Sequence, residues 1–141
     1  MIDDVIARWH RFVAGDLPGG LDDLLADDVV FYSPVVYTPQ RGKEITARYL
    51  EAAALTLAGD AATGTFRYVK ELRSGDTAVL EFETSVEGKY VNGVDVVRCD
   101  DAGRIVEFRV MMRPLQAIQA VHEAMGRRLA VAPEVSRSAP G

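Results

Sequence analysis

The chain has 141 residues, 48% of them hydrophobic and 26% charged, and its net charge at pH 7 is −5. That length fits one domain with a core of its own, and the acidic balance argues against partners such as nucleic acid or an anionic membrane surface, which attract basic faces. Cys99 is the only cysteine, so no disulfide can form within the chain; with an acidic N-terminus unlike a signal peptide, this favours a cytoplasmic protein.

The first part of the chain is predicted to be mainly helical. Apolar residues recur every three or four positions from Ile2 to Val13, which predicts an amphipathic helix. After a Pro-Gly-Gly break, the leucines of 21–25 suggest a second short helix, and 29–33 reads as a short strand. Gly42 precedes a longer predicted helix from Lys43 to about Ala58.

The second part is predicted to be a meander followed by a helix. Alternating apolar and polar residues, separated by Gly and Asp turns, predict strands at Thr65–Leu72, Thr77–Glu87, Val91–Cys99 and Arg104–Arg113. Strands joined so closely must be antiparallel neighbours. Pro114 is suited to the first turn of a last helix. We expect residues 1–130 to form one domain and 131–141 to be a disordered tail.

This order of elements predicts an α+β domain whose helices cover one face of a mostly antiparallel sheet. Alternation places Leu80, Phe82 and Thr84 on one face of their strand, and glutamates on the other. If the sheet curls around the helices, a cavity opens at its mouth, where ligand pockets are common.

Three segments carry a resemblance to a known superfamily. They are "RFVAGDLPGGLDDLLADDVVFYSP", the helix opening Gly42-Lys43-Glu44-Ile45, and "VDVVRCDDAGRIVEFRVMMRP". In order and spacing, residues 2–130 resemble the SnoaL-like and ketosteroid-isomerase-like proteins of the nuclear transport factor 2-like superfamily. The resemblance implies a cone-shaped fold, a curved sheet wrapped around helices with a pocket inside. The superfamily includes isomerases, cyclases, dehydratases, epoxide hydrolases and non-catalytic binders, so fold alone does not fix function.

Asp95 is the candidate catalytic residue. Strand alternation places it on the same face as Val97 and Cys99, which we expect to be the inner face. Its spacing from Gly103 matches the ketosteroid isomerase aspartic acid that stays protonated and donates a hydrogen bond to a developing oxyanion. A buried, unpaired carboxyl group takes up a proton in the same way. The alternative is that Asp95 lies at a wet rim or pairs with an arginine.

The other parts of the isomerase site are missing. The resemblance implies a carboxylate base just before a proline after the first strand, where this chain has Ser33. It also implies a phenol on the first helix, near Arg8 or Trp9. We therefore do not expect steroid isomerisation by that mechanism. The acid of the related cyclases and epoxide hydrolases corresponds to Val110, so those reactions are equally unsupported.

The predicted pocket is mostly apolar, with Asp95, Ser33 and Thr84 as its polar points, which suits a lipophilic small molecule. Two histidines on separate helices make a poor metal site, and no phosphate-binding loop is present, so we expect no metal and no cofactor. The predicted ligand-binding residues are Trp9, Phe31, Ser33, Tyr37, Tyr49, Phe82, Thr84, Val97, Phe108, Val110 and Met112.

Three functions remain open from the sequence. The first is a pocket protein that binds a lipophilic molecule and transforms it by acid–base chemistry, with Asp95 as donor. The second is a non-catalytic binder of such a molecule, and the third is an interaction domain with a filled cone. Val94, Val96 and Met111 interrupt the charges of the outer sheet face, so we expect a homodimer through that face.

Overall fold

Six strands form a curved sheet that three helices cover on one side. The computed structural model describes residues 1–60 and 64–130; the predicted tail, 131–141, lies outside the described residues. In chain order the elements are α1 (Ile2–Val13), β1 (Leu25–Tyr32), β2 (Gln40–Arg41), α2 (Lys43–Leu57), β3 (Gly59–Asp60), β4 (Gly64–Thr65), β5 (Arg67–Ser74), β6 (Thr77–Val86), β7 (Lys89–Cys99), β8 (Ile105–Arg113) and α3 (Leu115–Leu129).

The strand order is β2-β1-β8-β7-β6-β5, with β3 and β4 as a separate two-stranded ribbon. Strands β5 to β8 form the predicted antiparallel meander, and β1 joins its edge parallel to β8. Antiparallel neighbours need only short turns, whereas the parallel β1 is far from β8 in sequence. The predicted α+β class and mostly antiparallel curved sheet are confirmed.

The two sheet faces differ as the alternation predicts. Leu80 and Phe82 of β6 are buried, and so are Asp95 and Val97 of β7. Helix α1 places Val5 and Ile6 against this inner face, and α2 and α3 cover the rest. The core therefore lies between the concave face of the sheet and the helices, and every inward residue of β7 points to it.

The predicted helix at 21–25 is wrong. Leu21 and Leu24 are buried within turns, and Leu25 is already the first residue of β1. The N–H of Ile105 donates a hydrogen bond to the carbonyl oxygen of Leu24 at 2.8 Å, which joins this segment to β8. The leucines recur at helical spacing because each of them is buried, not because they form a helix. Pairing of this segment with a distant strand outweighs its local helix propensity.

The sequence did not predict β2 and β3, and it joined Thr65 of β4 to the strand Thr65–Leu72. Each of these strands has two residues, too few to show an alternating pattern. Strand β2 pairs with β1, and the β3–β4 ribbon packs against β6.

The outer face of the sheet has an apolar centre within a charged surround. Val94 pairs with Met111 across β7 and β8, and Val96 pairs with Arg109. The Arg109 guanidinium carbon lies 3.9 Å from the ring centroid of Tyr32. Association of two copies through this face stays a prediction. In the described part of the chain, no helix is long and apolar enough to cross a membrane.

Gly93 of β7 is tightly packed on the inner face, opposite Phe82. A Cβ at this position would lie 2.4 Å from Cζ of Phe82, so the ring would have to move. We expect Gly93→Ala to lower the free energy of unfolding by about 1–3 kcal/mol in urea titrations, because overpacking strains a core.

The matched control is Gly126→Ala in α3, where an added Cβ would meet no atom within 4 Å. Alanine favours helix over glycine, so this variant should gain up to about 1 kcal/mol. Equal stability of the two variants would contradict the packing assigned to Gly93.

Candidate functional site

A cavity of about 600 Å³ lies between the concave sheet face and the three helices. Its walls are mainly aromatic and aliphatic, which is typical of sites for lipophilic molecules. Most of the predicted ligand-binding residues lie in this wall together with Asp95: Trp9, Phe31, Ser33, Tyr49, Phe82, Phe108, Val110 and Met112. Their roles in binding stay predictions.

Three residues predicted to bind ligand lie elsewhere. Tyr37 is 99% exposed in the loop before β2 and does not line the cavity. The Thr84 hydroxyl donates a buried hydrogen bond to the carbonyl oxygen of Leu57 at 2.7 Å, so it fastens β6 to the end of α2. Val97 has no exposed surface and packs in the core behind the cavity wall.

Asp95 sits in the middle of the sheet, between Leu80 of β6 and Val110 of β8. Its side chain points to the cavity, and the residue is 5% exposed. The Tyr68 hydroxyl donates to Oδ2 of Asp95 at 2.5 Å, and Nε1–H of Trp9 donates to the Tyr68 hydroxyl oxygen at 2.8 Å. The carboxyl group is therefore oriented by a relay that begins on α1 and crosses β5.

Oδ1 of Asp95 accepts no hydrogen bond from the described residues. Among the described side chains, wholly enclosed oxygens without a partner occur at Thr46 and Thr56. Oδ1 of Asp95 is therefore not enclosed, and it meets the open space of the cavity that Asp95 lines. One carboxyl oxygen is held by the protein, and the other is available to a ligand.

Burial raises the pKa of Asp95 to about 7, an effect that the hydrogen bond from Tyr68 only partly offsets. Near neutral pH the carboxyl group is thus present in both protonation states. Burial, and then the nearby charge of Asp95, raises the pKa of Tyr68 well above its ordinary value. The phenol remains a donor to Oδ2, so a proton on Asp95 belongs on Oδ1, facing the cavity.

Tyr68 is the residue that the sequence prediction missed, because its role depends on a neighbouring strand. It pairs with Phe82 across β5 and β6, and cross-strand pairs share a face. Its ring meets that of Phe66 edge to face at 4.9 Å, and both lie against Phe82. Regular pairing counted back from the Ser74-Gly75-Asp76 turn would place Val69 opposite Phe82. A register shift between Tyr68 and Lys70 brings Tyr68 there instead, and the alternating pattern of the sequence carries no signal for that shift.

Ser33 occupies the position where the resemblance implies a carboxylate. Its Oγ accepts hydrogen bonds from the backbone N–H groups of Val35 and Val36, at 3.1 and 3.3 Å. The hydroxyl thus closes the turn after β1 at the cavity wall. A serine in this arrangement offers no base for removing a proton from carbon.

Other titratable groups of the wall are Tyr49 on α2, and His122 and Glu123 on α3. His122 and Glu123 are exposed and lie where solvent enters. In residues 1–60 and 64–130, no cluster of His, Cys, Asp and Glu is arranged to hold a metal ion.

The family model for the SnoaL-like domain matches residues 5–108. No curated protein matches the chain. Among solved structures, a protein from Pseudomonas aeruginosa described as a steroid delta-isomerase is 37% identical, with 92% of each chain covered and a TM-score of 0.83. An uncharacterised Silicibacter pomeroyi protein with a cystatin-like fold is 28% identical, covering 94% of this chain and 90% of its own, with a TM-score of 0.82.

A more distant neighbour shares the fold alone. It is an epoxide hydrolase/cyclase-like enzyme of pyran ring formation in salinomycin, 14% identical, with a TM-score of 0.61. The match covers 82% of this chain and 92% of that enzyme.

The raised pKa of Asp95 predicts a specific dependence of stability on pH. The folded state holds the proton of Asp95 more tightly than the unfolded chain, whose ordinary value is 3.8. Binding of this proton stabilises the folded state fully below about pH 4, and the stabilisation is lost as the pH rises through about 7. The free energy of unfolding falls by roughly 4 kcal/mol at most over this range. Asp95→Asn cannot ionise, so it should become progressively more stable relative to the parent protein between pH 4 and 8.

Urea unfolding of both proteins at several pH values measures this difference. Loss of the Tyr68 contact in Asp95→Asn would change the free energy of unfolding by the same amount at every pH. Loss of the ionisable group instead changes the slope of the free energy of unfolding against pH. Parallel curves for the two proteins would show that Asp95 does not titrate in this range.

Proposed function

This chain belongs to the SnoaL-like domain family, and we propose that it binds a lipophilic small molecule bearing an oxygen acceptor, to which protonated Asp95 donates a hydrogen bond. The ligand lies in the cavity of about 600 Å³. Apolar walls supply most of the binding free energy, because they remove hydrocarbon surface from water. Asp95 fixes which end of the molecule enters first.

One observation supports this function above the others: a carboxyl group with a pKa of about 7 faces a mostly apolar hollow, and one of its oxygens accepts no hydrogen bond from the described residues. A protonated carboxyl group is a strong donor, and in a dry site it strengthens as negative charge develops on its acceptor. A cone filled by its own side chains would not leave a cavity of this size, which disfavours a purely structural domain.

The same contact serves a binder and a catalyst. In a binder, Oδ1–H of Asp95 recognises a carbonyl or ether oxygen in its resting state. In a catalyst, it stabilises the oxyanion that forms when a proton leaves the carbon beside a carbonyl group. Tyr68 acts as a positioning residue in both cases, because it holds Oδ2 and leaves Oδ1 to the ligand.

Binding of 2-acetylnaphthalene tests this contact against 2-ethylnaphthalene, which has a similar shape and no oxygen. Trp9, the only tryptophan, lines the cavity, so quenching of its fluorescence reports occupancy. Because donation needs the proton, affinity for the acetyl probe should fall up to about tenfold from pH 6 to pH 8. Affinity for the ethyl probe should stay constant.

Asp95→Asn is the matched variant, since its amide donates at every pH and its oxygen still accepts from Tyr68. It should bind the acetyl probe with no pH dependence between pH 6 and 8. If the affinity of this variant for the acetyl probe fell as much as that of the parent protein, another group would be titrating, and Asp95 would not contact the ligand.

A second candidate function is isomerisation of a β,γ-unsaturated ketone. It is favoured by the 37% identity to the protein described as a steroid delta-isomerase, together with the donor Asp95. In that reaction a base takes the proton between the carbonyl group and the double bond, Asp95 stabilises the dienolate, and the proton returns to the far carbon. Among the described cavity residues, His122 and Glu123 offer the bases, because position 33 is a serine.

Ser33→Asp should supply a base in the wall of the same cavity as Asp95. An aspartate can accept the same two N–H bonds from Val35 and Val36, so the turn is kept. We expect conversion of a β,γ-unsaturated steroid ketone to its conjugated isomer, followed by ultraviolet absorbance, to rise about a hundredfold or more.

Ser33→Asn is the control, since it keeps the turn and adds no base. If Ser33→Asp and Ser33→Asn convert the ketone at the same rate, the pocket does not hold the substrate for this reaction, and the binding function stands alone.

A further inference from the structure

Tyr49 of α2 carries a hydroxyl group that makes no hydrogen bond with the described residues. The residue is 3% exposed and lines the cavity. Its oxygen is not among the wholly enclosed side-chain oxygens without a partner. The hydroxyl therefore keeps accessible surface, on a side chain that lines the cavity.

A ligand that places an oxygen against this hydroxyl gains a hydrogen bond, whereas a ligand that covers it with hydrocarbon leaves the hydroxyl without a partner. Phenylalanine would fill the same space without the hydroxyl, as Phe31 does beside it, with ring centroids 5.6 Å apart. Burial raises the pKa of Tyr49, so the phenol stays neutral and can donate as well as accept.

Tyr49 and Asp95 lie on different walls. Asp95 belongs to β7 and is held from the β5 side by Tyr68. Tyr49 packs on Phe31 of β1, which is two strands away from β7 in the sheet. Neighbouring strands are spaced by about 4.8 Å, so the backbones of β1 and β7 are roughly 10 Å apart, with Phe108 of β8 between them.

We propose that the ligand is difunctional: a rigid, mostly hydrocarbon molecule with one oxygen for Asp95 and a second oxygen, some ring widths away, for the Tyr49 hydroxyl. This inference rests on the proposed function and adds the second recognition point. Two polar contacts from different elements orient the molecule in the cavity, which a single contact within a mostly apolar hollow does not. Tyr49 is therefore a specificity-determining residue.

Hydroxylated probes test this assignment. The 6-hydroxy and 7-hydroxy derivatives of 2-acetylnaphthalene place a second oxygen at two different positions. At least one should bind the parent protein about fivefold more tightly than 2-acetylnaphthalene, the gain expected from one added hydrogen bond. In Tyr49→Phe that gain should disappear, so that the hydroxylated derivatives bind this variant no more tightly than 2-acetylnaphthalene does.

Tyr90→Phe is the matched control, because Tyr90 lies outside the cavity and its hydroxyl donates to Glu83 at 2.6 Å. This variant should keep the full gain. A gain that survives in Tyr49→Phe, or no gain with either derivative, would overturn the role of Tyr49.

The two proposals fail in different ways. In Tyr49→Phe, affinity for 2-acetylnaphthalene should still fall from pH 6 to pH 8, since that contact belongs to Asp95. In Asp95→Asn, the pH dependence should vanish while the gain from the second hydroxyl remains. If no naphthalene binds at all, the proposed function fails, and the difunctional ligand fails with it.

Thermal unfolding separates recognition from support of the fold. Because the Tyr49 hydroxyl has no partner among the described residues, Tyr49→Phe should unfold at the same temperature as the parent protein or higher. A clear loss of stability would mean that the hydroxyl holds the structure together and is not reserved for ligand.

Discussion

The enclosure of one carboxyl group by hydrocarbon governs the chemistry of this site. Asp95 is surrounded by the strands and aromatic rings of a cone, and burial alone raises its pKa toward neutrality. An arginine beside it would have kept it ionised, and a wetter site would have left it an ordinary surface carboxylate. Tyr68 and Trp9 orient the group without adding charge, so the proton faces the cavity.

The fold makes that enclosure possible and also limits how far the buried carboxyl group destabilises the folded state. A curved sheet provides one concave face, and three helices close it everywhere except at the mouth, where His122 and Glu123 meet solvent. Asp95 on the central strand β7 is thus far from the sheet edges, while Ser33 and Tyr49 lie on other walls. Hydrocarbon packing around the cavity offsets the destabilisation of keeping polar groups inside.

This site keeps the aspartic acid that the resemblance implies and differs in its other parts. Asp95 is where the resemblance implies a proton donor, but the turn after β1 has a serine whose hydroxyl accepts hydrogen bonds from the backbone of that turn. The phenol that contacts Asp95 comes from β5 and not from the first helix, which contributes the indole of Trp9 instead. The chemistry of a relative therefore does not transfer as a whole, and the ligand contacts of this chain must be tested one at a time.

The sequence by itself determined the meander and the inner position of Asp95, because strand alternation is a local property of the backbone. Most of the residues that it predicted to bind ligand lie in the cavity wall. It failed at 21–25, where pairing of Leu25 with Ile105 replaced the apparent helix, and at Tyr37 and Thr84, whose surroundings come from other elements. Only the tertiary structure brought Trp9, Tyr68 and Asp95 into one hydrogen-bonded relay and left the Tyr49 hydroxyl without a hydrogen-bond partner among the described residues. Such contacts join residues far apart in the chain, and no local pattern encodes the distance between them.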